Sequence, residues 1–399
     1  MSVLQNIKGD KTIWAIVGLL ALFSFLPVYS ASTNLVGVIG KGTTMGYLLK
    51  HAVLLVLGFV IIYTTHKIPY RYFSGSSVFL IPLVWVLLAY TLFQGKTISG
   101  ANASRWINIP FVGIGFQTST LASVVIMMYV ARYFAKRKKK VITFKESMLY
   151  LWLPVGIVLA LILPANFSTT AIIFVMVLII SFLGGYPLKY IGVIVLTGII
   201  IFSAFILTAR TFPETFKNTR VNTWVNRIEN FSNPNEETNY QAEKAKLAIA
   251  SGEIRGRGPG KSIQKNFLPQ SSSDFIYAII AEEFGLIGAA SLLILFLGLL
   301  FRIVIVANKT ETIFGTLLVL GVGIPIIFQA LINMAVAVGL FPVTGQPLPL
   351  ISTGGTSIWM TCFAIGVVLS VSANREVTKK KKRKKKEENP LDILHEAIG

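Results

Sequence analysis

Cysteine and histidine are scarce in this sequence, and acidic residues are few beside basic ones. Its 399 residues include one cysteine, Cys362, and three scattered histidines, His51, His66 and His395. That excludes an intramolecular disulfide and offers no ligand cluster for zinc. Asp and Glu together number 17 against 37 Lys and Arg, a formal net charge of +20. No Ser–His–Asp set or nucleotide fingerprint is present. Gly260-Lys261-Ser262 has Arg255 where the first glycine of a P-loop would stand.

Apolar residues are what the chain has in quantity, 54% of it, with a mean hydropathy of +0.69. They gather into runs close to the roughly 18 residues that a helix needs to cross hydrocarbon. The runs predict spans near Thr12–Tyr29, Tyr47–Thr65, Val78–Phe93, Gln117–Phe134, Ser147–Leu163, Phe167–Leu183, Leu188–Thr208, Phe275–Val306, Ile313–Val338 and Gly355–Ser372. The expectation is an all-α polytopic membrane protein of about ten helices. It divides into spans one to seven (1–209), a large ordered outside loop (210–273), spans eight to ten (274–374) and a basic tail (375–399).

Lys67, Arg71, the run ARYFAKRKKKVITFK, Lys189, Arg302, Lys309 and the tail NREVTKKKKRKKKEE all fall on one side of that layout. Positive charge in short loops marks the cytoplasm, so both termini are expected there. VYSAS near Ser30 resembles a cleavage site, but its apolar run is long for a signal peptide and its removal would leave an odd number of spans. Beside a last span, the lysine tail reads as a partner for anionic headgroups rather than for nucleic acid.

Three irregular stretches carry the chemistry. GEIRGRGPGKSIQKNFLP follows AEKAKLAIASG, which reads as a short helix ending at Gly252. With Arg255, Arg257, Lys261 and Lys265, this turn reads either as a phosphate cradle built from backbone N–H groups and cations or as a solvated turn. An outside loop from Gly95 to Thr120 holds Arg105 beside Trp106, and tryptophan is also a common interface anchor. GLFPVTGQPLPLISTGGTS (339–357) interrupts apolar sequence with prolines and glycines. Such backbone persists at membrane depth only where protein buries it or where it lines a cavity.

FLPQSSSDFIYAIIAEEFG brings three carboxyl groups to one span. On a helix opening near Asp274, Glu282 lies about 12 Å deeper and roughly 80° around, with Glu283 nearly opposite Asp274. The three cannot form one tight dyad. Asp274 at the mouth serves equally as an N-terminal cap or as an ionised, accessible base. Glu282 and Glu283 call for a partner such as Lys or Arg inside the bundle, or for a functional role.

The segment SDFIYAIIAEEFGLIG, with the GPGKS and LP that precede it and the INMAVAVGLFPVTGQPLPLISTGGTS that follows, resembles the FtsW/RodA/SpoVE (SEDS) family of peptidoglycan glycosyltransferases. The likeness runs from the first span to Ser372. It implies inverting polymerisation of lipid II into glycan strands on the outer face of the cytoplasmic membrane, with Asp274 as the essential residue and general base. The leaving group would be the lipid pyrophosphate of an undecaprenyl-linked glycan, for which Arg105, Arg255, Arg257 and Lys261 are the candidate cations. Trp106, Gln117, Ser119, Ser262, Glu283, Asn333, Gly345, Pro349, Ser352, Gly354 and Gly355 are the further substrate-path candidates, Glu283 being equally a structural residue of the bundle. The resemblance also implies a class B penicillin-binding protein and other division proteins as partners. FSNPNEETNYQ and the tail favour the division branch over the elongation branch. No cofactor is expected, although a divalent cation such as Mg²⁺ would suit the pyrophosphate.

Departures from the family pattern are visible. Gln270 and Ser273 replace an acid and a threonine before the DFIY motif. Thr118, Thr120 and Ser123 replace a proline, a glutamate and a lysine, which questions any scheme that makes that charged pair catalytic. PANFST and Ser352–Thr356 are further substitutions. Two rival readings are a lipid II flippase, for which spans one to seven hold almost no intramembrane charge, and a scaffold, for which Asp274 would be dispensable.

Overall fold

In the computed structural model the described residues are 7–39, 43–94, 106–108, 115–137, 142–211, 240–268 and 271–387. Arg105 lies outside them, as do residues 212–239 of the large loop. Helices dominate: α1 (Lys11–Ile39), α2 (Thr44–Thr65), α3 (Arg71–Gln94), α4 (Thr118–Lys136), α5 (Phe144–Ser147), α6 (Leu153–Ile162), α7 (Phe167–Leu183), α8 (Leu188–Thr211), α9 (Tyr240–Gly252), α10 (Ile276–Asn308), α11 (Ile313–Ala337) and α12 (Thr356–Glu387). A π-helical turn, Met148–Trp152, joins α5 to α6. Nine helical segments among the described residues are long and apolar enough to cross a membrane, and the tenth expected span, α7, is an apolar helix of 17 residues. This is a multi-pass membrane protein.

Local chemistry sets several helix starts. Asp10 accepts the amides of Thr12 and Ile13 at 3.0 and 3.2 Å, and Thr43, Asn166 and Thr312 cap α2, α7 and α11 in the same way. Each satisfies a first-turn N–H that lipid would leave without a partner. Three boundaries differ most from the sequence expectation. Helix α1 runs on to Ile39 rather than ending near Tyr29. Helix α3 begins at Arg71 rather than Val78, because Phe73 and Ser77 turn inward and the polar residues there do not mark a loop. The backbone of α12 stays helical through the lysine run to Glu387 instead of ending near Ser372.

Packing sorts the helices into centre and rim. Of the membrane-crossing windows, 72% of α12 and 61% of α4 is buried inside the protein, against 0% of α8. Lipid is as apolar as leucine, so close approach rather than hydrophobic burial holds such helices together. Gly58 of α2 sits against Cys362 of α12, where an added Cβ would stand 2.7 Å from Sγ, and Gly366 meets Thr65 in the same helix pair. Pro27, Pro82 and Pro325 lie within α1, α3 and α11. A short antiparallel hairpin, β1 (Trp106–Asn108) with β2 (Gly115–Gln117), leads into α4.

Candidate active site

The turn that carries Asp274 is held from three sides. Helix α10 starts at Ile276 with Phe275 as its N-cap, two residues later than a helix opening at Asp274, and that N-cap makes no side-chain capping bond. Residues 271–275 instead form a turn that the irregular 339–355 segment grips by its backbone. Asn333 Nδ2 of α11 donates to the carbonyls of both Asp274 and Gln346, each at 2.8 Å. Ser352 Oγ donates to Ser273 O at 2.6 Å while accepting the amide of Leu348. Thr353 gives both its amide and its hydroxyl to Ser272 O at 3.0 Å. Three consecutive carbonyls, 272 to 274, are therefore fixed, the first two by the 339–355 loop and the third by α11. Leu350 has φ 63°, a left-handed conformation costly for a branched residue that the surrounding bonds hold in place.

Behind this turn lies a cavity of about 70 Å³ between α4, α7, α11 and α12. Gln117, Ser119, Thr120, Ser123, Thr169, Gln329, Gln346, Ser357 and Thr361 supply its polar wall, and Val124, Met127, Ile172, Ile173 and Ile326 its apolar wall. Every lining side chain is uncharged. Gln346 Nε2 donates to Thr169 Oγ1 at 2.8 Å, so the bond from Asn333 to Gln346 links the Asp274 turn directly to the cavity wall. The hairpin closes another side. Thr356 Oγ1 accepts the amide of Gln117 and donates to Gly115 O, both at 3.1 Å, locking β2 to the start of α12. Trp106 pairs with Gln117 across the hairpin and is half-buried.

The glycine-rich turn has a different job from the one its composition suggests. Helix α10 breaks at Gly285 (φ 65°, ψ −166°), which strips its neighbours of their helical partners. The turn supplies them. Arg257 and Gly258 donate their amides to Glu282 O and Glu283 O at 2.9 Å, and Leu286 and Ile287 donate to Glu253 O and Ile254 O at 2.9 and 3.3 Å. The contact leaves no room for a side chain: a Cβ on Gly252 would stand 1.9 Å from Ala281 O, and one on Gly256 2.2 Å from Glu283 O.

The carboxylates of Glu282 and Glu283 fold back into the same turn. Glu282, fully buried, accepts the amides of Ile263 and Gln264 and the hydroxyl of Ser262. Glu283 accepts the Ser262 amide at 3.2 Å and the Ser30 hydroxyl of α1. Buried Lys265 donates to Ser30 Oγ and Gly260 O at 3.3 and 2.9 Å, which places a compensating cation against Glu283 through one hydroxyl. The cradle reading of the turn is therefore corrected: its amides at 257, 258 and 262–264 are already donated to protein oxygens. Ser262 and Glu283, expected on the substrate path, are bound to each other inside the wall instead. Arg255, Arg257 and Lys261 do project, with Arg257 Nε 4.0 Å from the Glu282 carboxylate.

Among the other expected residues, Gln117 and Ser119 line the cavity and Asn333 and Ser352 hold the Asp274 turn. Gly345 and Gly355 have φ 68° and 53°, where a side chain would be strained, and Pro349 and Gly354 are buried in the same loop. Gln346, Thr353, Thr356, Ser30 and Ser272 also build the site, a role that the sequence does not assign to them. Ser30 and Thr356 carry one weak signal, a hydroxyl inside or beside a span. Among the described residues no three His, Cys, Asp or Glu side chains gather where they would hold a metal ion.

Comparison with known proteins agrees with this arrangement. Residues 10–377 match the FtsW/RodA/SpoVE family, described as "Cell cycle protein". A "Probable peptidoglycan glycosyltransferase FtsW" of Hydrogenovibrio crunogenus is 32% identical over 363 residues, covering 89% of this chain and 90% of the relative. One of the same name from Geobacter metallireducens is 32% identical over 375 residues, covering 93% and 96%. In fold, the chain is similar to one solved as "Structural coordination of polymerization and crosslinking by a peptidoglycan synthase complex" (TM-score 0.72, 23% identity, 92% of this chain and 98% of that one). It is likewise similar to the rod shape determining protein RodA of Thermus thermophilus (TM-score 0.66, 23% identity, 92% and 97% covered). With its span order, its braced aspartate turn and this match along nearly its whole length, the chain belongs to the FtsW/RodA/SpoVE family.

Proposed function

We propose that this protein is a peptidoglycan glycosyltransferase that polymerises lipid II on the outer face of the cytoplasmic membrane, with both termini inside. The observation that carries the reading is the turn of Asp274, braced by Asn333, Ser352 and Thr353 beside an uncharged, hydroxyl- and amide-lined cavity. A carboxylate held there by its backbone takes the proton from the 4-hydroxyl of a bound lipid II sugar as that oxygen attacks the anomeric carbon of the growing chain. One displacement inverts the anomeric centre and expels a lipid pyrophosphate. Arg255, Arg257 and Lys261, exposed on the glycine turn, are the cations available to the departing charge. The curated relatives reported above carry the FtsW name, which supports a role at the division septum. The likeness to a peptidoglycan synthase complex supports a crosslinking partner, read as a class B penicillin-binding protein.

The test is polymerisation in liposomes. The protein, co-purified with its class B partner and given labelled lipid II, should produce ladders of uncrosslinked glycan when the transpeptidase is blocked. An intact complex that makes no polymer and moves lipid II across the bilayer would replace this reading with a transporter.

Two further outcomes follow from the geometry. Asn333→Ala removes both bonds from the Asp274 and Gln346 carbonyls, so turnover should fall about tenfold to a hundredfold with KM for lipid II little changed, the pattern of a displaced base rather than a lost substrate contact. Arg255→Ala combined with Lys261→Ala should lower turnover about tenfold and leave the thermal midpoint in place, because neither side chain is buried. Initial rates and a melting curve on the same preparations check both.

A further inference from the structure

At the opposite end of the bundle from Asp274, a second cavity of about 420 Å³ is lined by Lys8, His66, Lys67, Ile68, Pro69, Ser370, Ala373 and Asn374. It lies where the segment before α1, the end of α2 and the middle of α12 meet. Its components are held in place. Asp10 is bound by Arg302 and by the first amides of α1, and Gly9 (φ 93°) lies so close to α12 that a Cβ would stand 2.8 Å from Leu369 O. Lys8 is therefore tethered at the cavity rim. Ser370 ties the opposite wall by donating to Ile68 O. Lys67 lies 3.8 Å over the ring of Tyr63, which fixes the second ammonium group.

The side chain that demands explanation is His66. It is 3% exposed, wedged between the rings of Trp14 and Tyr63, and among the described residues neither of its ring nitrogens has a hydrogen-bond partner. A buried polar group left without a partner costs roughly 1–3 kcal/mol, and this one lines a cavity flanked by two ammonium groups. One imidazole N–H and two lysines lining one cavity at the edge of a membrane bundle match the acceptor oxygens and charge of a phosphate.

We propose that this cavity is a phosphate-recognition site that takes the headgroup of an anionic phospholipid, with Lys8 and Lys67 supplying charge and His66 a buried N–H. The lipid source follows from position: the cavity opens where α2 and α12 leave the bilayer, at the end where short-loop lysine and arginine gather. Its ligand is held by the bundle and is distinct from whatever the lysine tail attracts.

The full-length protein in nanodiscs of phosphatidylcholine with a minor fraction of phosphatidylglycerol would test this by native mass spectrometry of the retained lipids. Wild type should keep one phosphatidylglycerol through delipidation. Lys8→Ala with Lys67→Ala should weaken retention roughly twenty-five-fold, at about fivefold per lysine. His66→Phe, which keeps a ring between Trp14 and Tyr63, should also weaken it. Lys384→Ala with Lys385→Ala in the tail should leave retention unchanged. Equal retention by wild type, the double variant and His66→Phe overturns the proposal. A second arm adds inorganic phosphate to pure phosphatidylcholine discs. Phosphate that raises the wild-type melting temperature, without any selective retention of phosphatidylglycerol, overturns the lipid assignment and leaves a soluble phosphate as the ligand. These readouts do not involve lipid II, so they stand whether or not the polymerase reading does.

Discussion

Asp274→Asn should cut glycan polymerisation by on the order of 10²- to 10⁴-fold, the contribution of a positioned general base, while the complex with the crosslinking partner remains intact. Asparagine keeps the size of the side chain and a hydrogen-bonding oxygen but cannot take a proton. The bonds that brace the turn do not run through the carboxylate, since Asn333, Ser352 and Thr353 hold carbonyl oxygens of residues 272–274. The variant therefore separates chemistry from folding. Lipid II ladders from wild type and none from a variant with the same elution profile and melting temperature would place the base at Asp274. Ladders of equal intensity from both would remove Asp274 from the proton transfer and leave the cationic turn as the remaining catalytic feature. Glu283 is a poor substitute, because its Oε1 already accepts from Ser30 and the Ser262 amide inside the protein.

Gly256→Ala and Gly285→Ala should each destabilise the protein by about 3–5 kcal/mol, the sum of a left-handed backbone imposed on an L-residue and hydrogen bonds pulled apart. Gly256 has φ 79° and Gly285 φ 65°, and a Cβ on either would stand 2.2 or 2.3 Å from a carbonyl oxygen of the opposing segment. Neither backbone can retreat, because the two segments are joined through Arg257, Gly258, Leu286 and Ile287. Gly192→Ala is the matched control: it lies in α8, where an added methyl meets nothing within 4 Å, and should change stability by no more than about 0.5 kcal/mol. Thermal unfolding of the detergent-solubilised proteins checks the pair against the control. Midpoints for the clasp variants that match the control would mean that the turn and α10 are not held in register.

Much of this architecture is legible in the sequence because lipid imposes a simple rule. A segment must be apolar for about 20 residues and must satisfy its own backbone, and α2, α4, α8 and α11 fall close to where the runs of hydrophobic residues place them. Boundaries fail where that rule relaxes. The start of α3 is hidden because its polar residues face protein rather than lipid, and the continuation of α12 is hidden because lysine is a good helix former once outside the bilayer. The break at Gly285 is invisible for another reason. A lone glycine in an apolar run is compatible with an unbroken helix, and the residues that pay for the break, Glu253 to Gly258, lie some thirty positions earlier. The same distance hides the partners of Glu282 and Glu283: the sequence calls for a cation, and Arg257 does stand 4.0 Å from Glu282, but backbone amides with Ser262 and Ser30 supply most of the bonds. Asp274 itself is found through resemblance. Its bracing is not, since Asn333 and Thr353 acquire meaning only when the fold brings 333–353 against 272–274.

The helix break also decides how motion can be transmitted. Helix α10 is two rods rather than one, a short outer rod that begins beside Asp274 and a long inner rod running to Asn308, separated at Gly285. The segment that follows α9 is bonded to both rods: Arg257 and Gly258 donate to Glu282 and Glu283 of the outer one, and Leu286 and Ile287 of the inner one donate back to Glu253 and Ile254. A load applied to that segment therefore reaches both rods at the break itself. The bend at Gly285 is clamped from the side, and the aspartate sits at the far end of the shorter rod.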